Sequence, residues 1–464
     1  MKKITSIFIV ICLCLQLVGC SNESGTEKMT SQKATTTEKP MTADLAFKKA
    51  SKLVKKMTLE EKIGQLLVVD LDKLSDGKEP VTELTDELRA RISQYKISGV
   101  VLDSDNIQSV DQVKKLNEEL ATCLEIPMYI GTEEEGGGEH SIANGNKEIS
   151  STGYICPQEM GSNMTKDQIC DTGKVIGKEL SELGFNLNLA PTADVFETGM
   201  LVDLEKATLS AANALSEKEP QLDSFLKKNK KGKISKKARK KAMKQYEKAL
   251  DAYYDKVEEL LKECTEESYN SRCFGLDEEK VSESVAAMVE GIRSEKVATV
   301  LKTFPGISTV ARHHKLVLGE IDTGVSRLRR VSFAPYEAGI EAGTDMIMVG
   351  HVALTKVDGD TPATMSKVIM TDLLRNEMDF EGVVITEPLD LPVITNEYTT
   401  KQAVLRTLVS GASLIYNPED LNEAVSALKQ AVLFQEIDEK LINQAVLRVI
   451  QNKLMQGIYE VKGK

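Results

Sequence analysis

Eight short apolar runs, each separated from the next by longer polar or amphipathic stretches, dominate the sequence from Asp44 onward. Their β-rich, near-continuous apolar character is typical of parallel strands that are covered on both faces. The predicted strands are Gln65–Asp70, Gly99–Asp103, Pro127–Thr132, Phe185–Pro191, Val297–Phe304, Met346–His351, Gly382–Thr386 and Ser413–Tyr416. The predicted helices include Leu84–Tyr95, Val110–Leu124, Lys166–Leu183, Glu278–Arg293, Ser366–Met378 and Pro418–Leu433. Alternating strands and helices form a barrel or a doubly wound sheet, and eight repeats favour a (β/α)₈ barrel of the α/β class.

Polar residues follow the predicted strands directly. They are Asp103, Glu133, Glu135, Asp194, Lys302, His351, Glu387 and Asn417. In a barrel the carboxyl ends of all eight strands meet at one face, where the connecting loops converge over a packed interior. We therefore predict a functional site at that face.

One connection is too long for a simple loop. Between Val195 and Arg272 the chain is rich in Lys, Glu and Ala, and residues 201–268 are predicted to form a charged helical insertion after strand four. We expect two antiparallel helices, including the basic run Lys227–Lys244. A solvated hairpin explains this composition, and so does a lid or docking arm, because an insertion after strand four emerges at the site face.

The first residues are a targeting segment. Lys2 and Lys3 precede an apolar run that is too short to span a membrane comfortably. It ends in Leu17-Val18-Gly19-Cys20, which resembles the lipobox of bacterial lipoproteins. That resemblance implies cleavage before Cys20, lipid attachment to it, and a location on the extracytoplasmic face of the cell membrane. The alternative is an ordinary secretory signal with an incidental cysteine.

Three segments follow from these observations. Residues 1–20 are the signal, residues 21–43 are a disordered Ser/Thr/Lys-rich tether, and residues 44–464 are the barrel. The formal net charge of −12 argues against nucleic acid as a partner. The four histidines show no HExxH spacing, and no metal or cofactor is expected. No feature of the sequence identifies a protein partner.

Seven motifs occur in a characteristic order. They are Met57–Leu66 (MTLEEKIGQL), Glu135-Gly136-Gly137, the segment from Glu179-Leu180 through Asn188-Leu189-Ala190-Pro191 to Asp194-Val195, Arg272-Cys273-Phe274-Gly275, Lys302–Gly306 (KTFPG), Pro362–Ser366 (PATMS) and Gly382–Glu387 (GVVITE). Together they resemble the barrel of glycoside hydrolase family 3, in its β-N-acetylhexosaminidase branch. The resemblance runs from Asp44 to Tyr459, apart from the insertion. It implies retaining hydrolysis of β-linked N-acetylglucosamine, as in cell-wall fragments.

The position of the nucleophile is altered. The resemblance assigns this role to the Asp that ends the seventh strand, and here that residue is Glu387. Its carboxylate extends one methylene further, about 1 Å, and a misplacement of that size can lower the rate about 10²-fold. A shifted backbone at Pro388 would compensate.

The acid/base position is altered more strongly. The family places an Asp-x-His dyad after its K-H-F-P-G-H-G motif, but no Asp occurs from Gly306 to Ile321. The aligned pair is Arg312 and His314 with one deletion, or His313 and Lys315 without it. We take His314 as the candidate acid and Glu320 as the alternative. Two solvated loop histidines are the competing interpretation.

Several sugar-binding positions persist. The resemblance assigns substrate binding to Arg272, Lys302 and Glu133, the last in place of an Asp, and His351 ends the sixth strand where a polar ring can line the pocket. Three adjacent carboxylates, residues 133–135, repel one another unless Lys302 or Arg272 reaches them.

Three functions fit this sequence. The first is a glycosidase with a Glu nucleophile, and the second is a catalytically impaired lipoprotein that binds glycans or acts as a scaffold. The third is a basic-arm protein that contacts anionic wall polymer or lipid through Lys227–Lys244. Converging side chains of Glu387 and His314 would favour the enzyme, whereas side chains that point apart would favour the binding protein.

Overall fold

The structure is a computed structural model that describes residues 41–75, 79–142, 155–196, 236–263, 271–308, 310 and 314–460. The predicted signal and lipid-attachment residue Cys20 lie outside the described residues. The first helix begins at Ala43, and the side chain of Thr42 caps it by accepting a hydrogen bond from the backbone of Leu45. Residues 21–40 of the predicted tether also lie outside the described residues.

Eight parallel strands form the centre of the fold. In chain order they are β1 (Leu67–Asp70), β2 (Gly99–Val101), β3 (Tyr129–Thr132), β4 (Leu187–Asn188), β5 (Ala298–Phe304), β6 (Met346–Val349), β7 (Val383–Thr386) and β8 (Ile415–Tyr416). Each strand pairs with its sequence neighbour, and β1 also pairs with β8. A parallel bridge from Ile385 to Leu414 joins β7 to the start of β8. The sheet thus closes on itself, which confirms the predicted (β/α)₈ barrel.

Each barrel strand lies within the bounds predicted for it. The interior is filled by alternate strand residues, among them Val68, Tyr129, Val300, Met348 and Ile385, all buried. The residues between them point outward and contribute to a larger core beneath the helices. This two-sided burial explains the near-continuous apolar character of the strands.

Helices cover the outside of the barrel. The α-helices of the described residues are Ala43–Val54, Leu59–Gly64, Asp86–Tyr95, Val110–Ala121, Pro157–Asn163, Lys166–Glu182, Lys236–Glu263, Glu278–Ser294, Val325–Arg330, Ala334–Glu341, Thr355–Asp358, Pro392–Thr395, Thr400–Ser410, Leu421–Leu433 and Glu439–Met455. The predicted helix Ser366–Met378 is a π-helix over Val368–Glu377. Apolar periodicity does not distinguish the two helix types over so short a segment.

Two short pairs of strands lie outside the barrel sheet. Glu134–Gly136 pairs with Glu139–His140 immediately after β3, and Gly319–Ile321 pairs with Val352–Leu354. Both pairs therefore shape loops that follow strand ends, on the face where the site is predicted.

The predicted insertion is described only in part. Its described portion is one helix of 28 residues, Lys236–Glu263, about 42 Å long at 1.5 Å per residue. Ala242 is buried, while Lys240, Lys241 and Lys244 are exposed. The remainder of residues 201–268, including the first part of the basic run Lys227–Lys244, lies outside the described residues.

The amino ends of the strands are closed by the last helix. The Tyr129 hydroxyl donates to Asn452 Oδ1 at 2.7 Å, and buried Lys453 donates to Gln65 and to the Ser98 carbonyl. This end is polar but sealed, so the opposite end of the barrel remains for a site. Within the described part of the chain, no helix is long and apolar enough to cross a membrane.

Candidate active site

Glu387 lies at the mouth of the barrel, directly after β7. Its backbone N–H donates to the Val349 carbonyl at 2.9 Å, which extends the pairing of β7 with β6 by one residue. Its side chain is only 6% exposed. A buried carboxylate at the end of a barrel strand, fixed by the sheet itself, occupies the position where such barrels place catalytic groups.

His314 contacts this carboxylate. Its Nε2 lies 3.0 Å from Glu387 Oε1, and His314 is 3% exposed. The two side chains thus converge, although 73 positions separate them in the sequence. This is the arrangement that favours an enzyme over a binding protein.

The loop that follows β6 also binds the Glu387 carboxylate through its backbone. The His351 N–H donates to Glu387 Oε2 at 2.7 Å. A Cβ at the neighbouring Gly350 would lie 2.5 Å from Thr303 Cγ2 and 3.2 Å from Glu387 Oε2. Position 350 must therefore be glycine for the backbone to lie this close to Thr303 and Glu387. Nothing in the sequence indicated this requirement.

These contacts decide the ionisation of Glu387. Burial raises the pKa of this carboxyl, but the charge and hydrogen bond of His314, together with His351, outweigh it and hold the pKa at about 2. Glu387 is therefore a carboxylate at any pH near neutral, as a nucleophile must be.

His351 does not line the open pocket. Its ring is 0% exposed, Nδ1 pairs with the Thr364 hydroxyl at 2.9 Å, and Nε2 pairs with the Pro388 carbonyl at 3.0 Å. Burial is the main cause that lowers the pKa of His351. The predicted substrate-binding role is corrected accordingly, because a sealed ring with both nitrogens engaged supports the Glu387 loop from behind. Thr364 belongs to the PATMS motif, and that motif is the sequence feature from which this contact could have been predicted.

The acidic run after β3 is neutralised by the two predicted cations. Arg272 donates to Glu133 and, through two nitrogens, to both oxygens of Glu135, each at 2.9 Å. Lys302 contacts Glu135 at 2.7 Å and also contacts Glu133. The Thr192 hydroxyl adds a bond of 2.9 Å to Glu135. The expected repulsion between Glu133 and Glu135 is therefore relieved, because both cations reach them, while Glu134 accepts from the Ile142 N–H at 3.1 Å.

Glu133 and Glu135 differ in exposure. The side chain of Glu133 is 33% exposed, whereas that of Glu135 is 0% exposed. Burial raises the pKa of Glu135, but the charges of Arg272 and Lys302 outweigh it and lower the pKa to about 2. Glu135 therefore anchors the two cations, while Glu133 is the member of the group that a ligand can reach.

Asp194, which follows β4, holds the loop that carries His314. Its carboxylate accepts from the Ile307 N–H at 2.6 Å and from the Tyr336 hydroxyl at 2.9 Å. Burial and the Asp194 charge raise the pKa of Tyr336, so its hydroxyl stays protonated and donates. The sequence showed the polar strand-end residue but gave no signal for Tyr336.

A second polar network joins the ends of β1 and β8. Asp70 accepts from the Tyr416 hydroxyl at 2.6 Å and from Asn417 Nδ2 at 2.7 Å. Asn417 Nδ2 also donates to Asp390 at 2.9 Å, and Lys73 binds the same carboxylate. Burial raises the pKa of Asp70 to about 6. Of this network, the sequence predicted only Asn417 as a mouth residue.

Of the remaining candidates, the structure describes only Glu320. Arg312 and His313 lie outside the described residues. Glu320, the alternative acid, is exposed on the outer strand Gly319–Ile321. Among the residues that the structure describes, no group of His, Cys, Asp and Glu side chains is placed to hold a metal ion.

A protein-family model matches most of the chain. The model of the glycosyl hydrolase family 3 N-terminal domain matches residues 58–200 and 211–452, which is more than half of the chain. The chain belongs to glycosyl hydrolase family 3. The matched residues include the strand ends at which the site lies, from the end of β3 to the end of β7.

Characterised family 3 relatives are similar at low identity. Beta-hexosaminidase A of Pseudoalteromonas piscicida is 23% identical over 440 residues, covering 86% of this chain and 62% of that protein. The chain thus spans less than two thirds of that relative. Beta-hexosaminidase LpqI of Mycobacterium tuberculosis is 23% identical over 407 residues, covering 85% of this chain and 82% of that protein.

A solved family 3 structure shares the architecture. It is a β-N-acetylglucosaminidase from a Paenibacillus species, with a TM-score of 0.66 and 23% identity, covering 88% of this chain and 65% of that chain. At this identity the likeness shows the fold, and the function must be argued from the site.

Proposed function

We propose that this family 3 protein is a retaining glycosidase that hydrolyses O-glycosyl bonds of β-linked N-acetylglucosamine in cell-wall fragments, with Glu387 as nucleophile. The observation that carries the proposal is the buried Glu387 carboxylate at the barrel mouth, in contact with His314 Nε2 at 3.0 Å. The hexosaminidase relatives support the choice of an amino sugar.

The first step forms a glycosyl-enzyme ester. Glu387 attacks the anomeric carbon with a carboxylate electron pair, the bond to the leaving oxygen breaks, and that oxygen takes a proton from His314. His314 must break its contact with Glu387 to reach that oxygen. When the glycan binds, a contact between His314 and the leaving oxygen therefore replaces the contact between His314 and Glu387. A water molecule then attacks the anomeric carbon and restores the Glu387 carboxylate, with His314 as base.

Substrate hydroxyls are bound by the group around Glu133. Arg272 and Lys302 already hold Glu133 and Glu135, so they present fixed donors beside an accessible acceptor. A sugar hydroxyl that bonds Glu133 meets a carboxylate whose position is set by two cations. Preorganisation of this kind reduces the cost of ordering the site on binding.

The proposal is tested with an aryl β-N-acetylglucosaminide and purified protein that begins at Ser21. We expect release of the aryl alcohol with retention of the anomeric configuration, and little release from the matching β-glucoside. Binding of N-acetylglucosamine oligomers without turnover would instead support the second function, a glycan-binding lipoprotein. The absence of an Asp between Gly306 and Ile321 is the observation that favours that second function.

The pH profile tests the pairing of His314 with Glu387. In His314→Asn the burial of Glu387 is no longer offset by the imidazole, so its pKa rises from about 2. Only the ionised form of Glu387 attacks. As the pH is lowered, the variant therefore loses activity at a higher pH than the wild-type protein does. We expect this limb of the kcat/KM profile to move up by at least about one pH unit, with maximal rate lowered about 10²- to 10⁴-fold.

Leaving groups separate the two roles of His314. A dinitrophenyl glycoside needs little protonation, so kcat/KM of the variant, which reports the first step, should recover with it while the shifted acid limb remains. An unshifted limb, or equal loss with nitrophenyl and dinitrophenyl substrates, would contradict the assignment.

We further propose that Cys20 anchors the protein to the extracytoplasmic face of the cell membrane. The support is the sequence Leu17-Val18-Gly19-Cys20 after an apolar run, followed by a polar segment. The diacylglyceryl group of this lipoprotein class supplies two chains, whereas a single chain gives marginal binding.

Fractionation tests the anchor. Cys20→Ala should either release the protein to the medium or leave it unprocessed, while a conservative change at a nearby tether residue, Ser24→Ala, should leave it in the membrane fraction. A processed Cys20→Ala protein that stays in the membrane fraction at high salt would contradict the proposal.

A further inference from the structure

The first helix carries a basic outer face. Ala46, Ala50 and Val54 recur every fourth residue and are buried against the domain. The other side carries five lysines within nine positions and faces solvent, with Lys49 half-buried and the rest exposed: Lys48, Lys49, Lys52, Lys55 and Lys56. Asp44 is the one acidic residue of this helix. Such a face is unusual in a chain whose formal net charge is −12.

Exposed apolar groups accompany these lysines. Phe47 is 48% exposed and Leu45 is 37% exposed on the same helix. A cavity of about 280 Å³ opens beside it, lined by Val54 and Leu447, with Lys55 and Lys440 among its other lining residues. Lysines beside exposed apolar side chains are typical of surfaces that lie in a membrane interface.

The basic face is near the end of the barrel opposite the site. The helix leads through Leu59–Gly64 into the amino end of β1, and it packs on the last helix, Glu439–Met455, which closes that end at Tyr129. Glu387 lies at the carboxyl ends of the strands. A planar partner at the basic face would therefore leave the mouth of the barrel open to the opposite side.

We propose that the exposed face of helix Ala43–Val54, extended by Lys55 and Lys56, docks on an anionic phospholipid bilayer. Lysines close to such a surface strengthen binding about fivefold each. Because the formal net charge of the chain is −12, attraction to an anionic bilayer depends on a local basic surface such as this one. In an anchored protein this docking would direct the site away from the membrane and toward the wall glycan. The docking itself does not depend on Cys20 or on catalysis.

Vesicle sedimentation tests the proposal without using activity. The protein that begins at Ser21 has no lipobox cysteine and keeps the whole compact unit Met41–Lys464. It is mixed at low salt with vesicles of phosphatidylcholine containing 30% phosphatidylglycerol, or with phosphatidylcholine alone. We expect sedimentation with the anionic vesicles only, and its loss in high salt. A quadruple Lys→Gln variant at Lys48, Lys52, Lys55 and Lys56 should lower the partition coefficient several hundredfold, about fivefold for each lysine.

A second quadruple variant is matched in charge. Lys237, Lys240, Lys241 and Lys244 are exposed on the helix of the insertion, and Lys→Gln at these positions should lower partitioning less than threefold. Equal losses in the two variants would show a general charge effect and overturn the proposal. Absence of binding to anionic vesicles would also overturn it, as would sedimentation with poly(glycerol phosphate) particles but not with vesicles. The wild-type melting temperature in both variants confirms that each is folded.

Discussion

Glu387→Gln should abolish aryl-glycoside hydrolysis, with kcat lowered by about four orders of magnitude or more. A neutral amide is a poor nucleophile and cannot form the glycosyl-enzyme ester. The change preserves the shape of the side chain, so the fold should persist, but the melting temperature should fall because the variant loses the stabilisation that a carboxyl with a folded pKa of about 2 contributes near neutral pH. The measurement is kcat and KM on an aryl β-N-acetylglucosaminide, with melting followed by circular dichroism.

A glutamate just before the same strand offers a matched control. Glu381 is exposed just before the amino end of β7, and Glu381→Gln should leave kcat within about twofold. Unaltered turnover in Glu387→Gln would reject this residue as the nucleophile. An equal loss in both variants would point to damage to the strand.

Glu135→Gln should lower the free energy of unfolding by about 3–5 kcal/mol, because it leaves the buried Lys302 and the half-buried Arg272 with an incomplete counter-charge. The pH dependence provides a second signature. A carboxyl whose folded pKa is about 2 rather than 4.5 stabilises the fold above pH 4.5 and loses this contribution, about 3 kcal/mol, as the pH falls toward 2. Denaturant titrations between pH 2 and pH 7 should show a flatter acid limb in the variant.

Glu133→Gln is the control for this prediction. Glu133 contacts the same two cations but is one-third exposed, so the loss of its charge should cost about 1 kcal/mol or less. Its effect should appear instead as a higher KM, since it is the accessible carboxylate. Equal destabilisation by the two variants would contradict the division of roles between Glu133 and Glu135.

The sequence predicted the barrel because strands buried on two faces leave a distinctive signal, a short apolar run between helices. It also predicted that polar residues such as Asp194 and Glu387 meet at one end, since the topology of a parallel barrel brings strand ends together. The family resemblance then indicated which of these residues to examine. None of these arguments requires the position of a side chain.

Side-chain geometry was beyond this reasoning. The sequence did not show that His314 contacts Glu387, because that depends on how a long loop folds back over β7. It assigned His351 to the pocket because the residue ends a strand, whereas in the structure the ring is buried and pairs with the Thr364 hydroxyl and the Pro388 carbonyl. Tyr336 supports Asp194 from an outer helix, and no local pattern marks such a contact.

Covalent labelling tests the central claim most directly. A fluorinated, activated N-acetylglucosaminyl analogue slows hydrolysis of the glycosyl-enzyme ester more than its formation, so the intermediate accumulates. After digestion, mass spectrometry should locate one added sugar on the peptide that contains Glu387, and none in Glu387→Gln. A label on another carboxylate, or no label in protein that still hydrolyses the aryl substrate, would contradict the account.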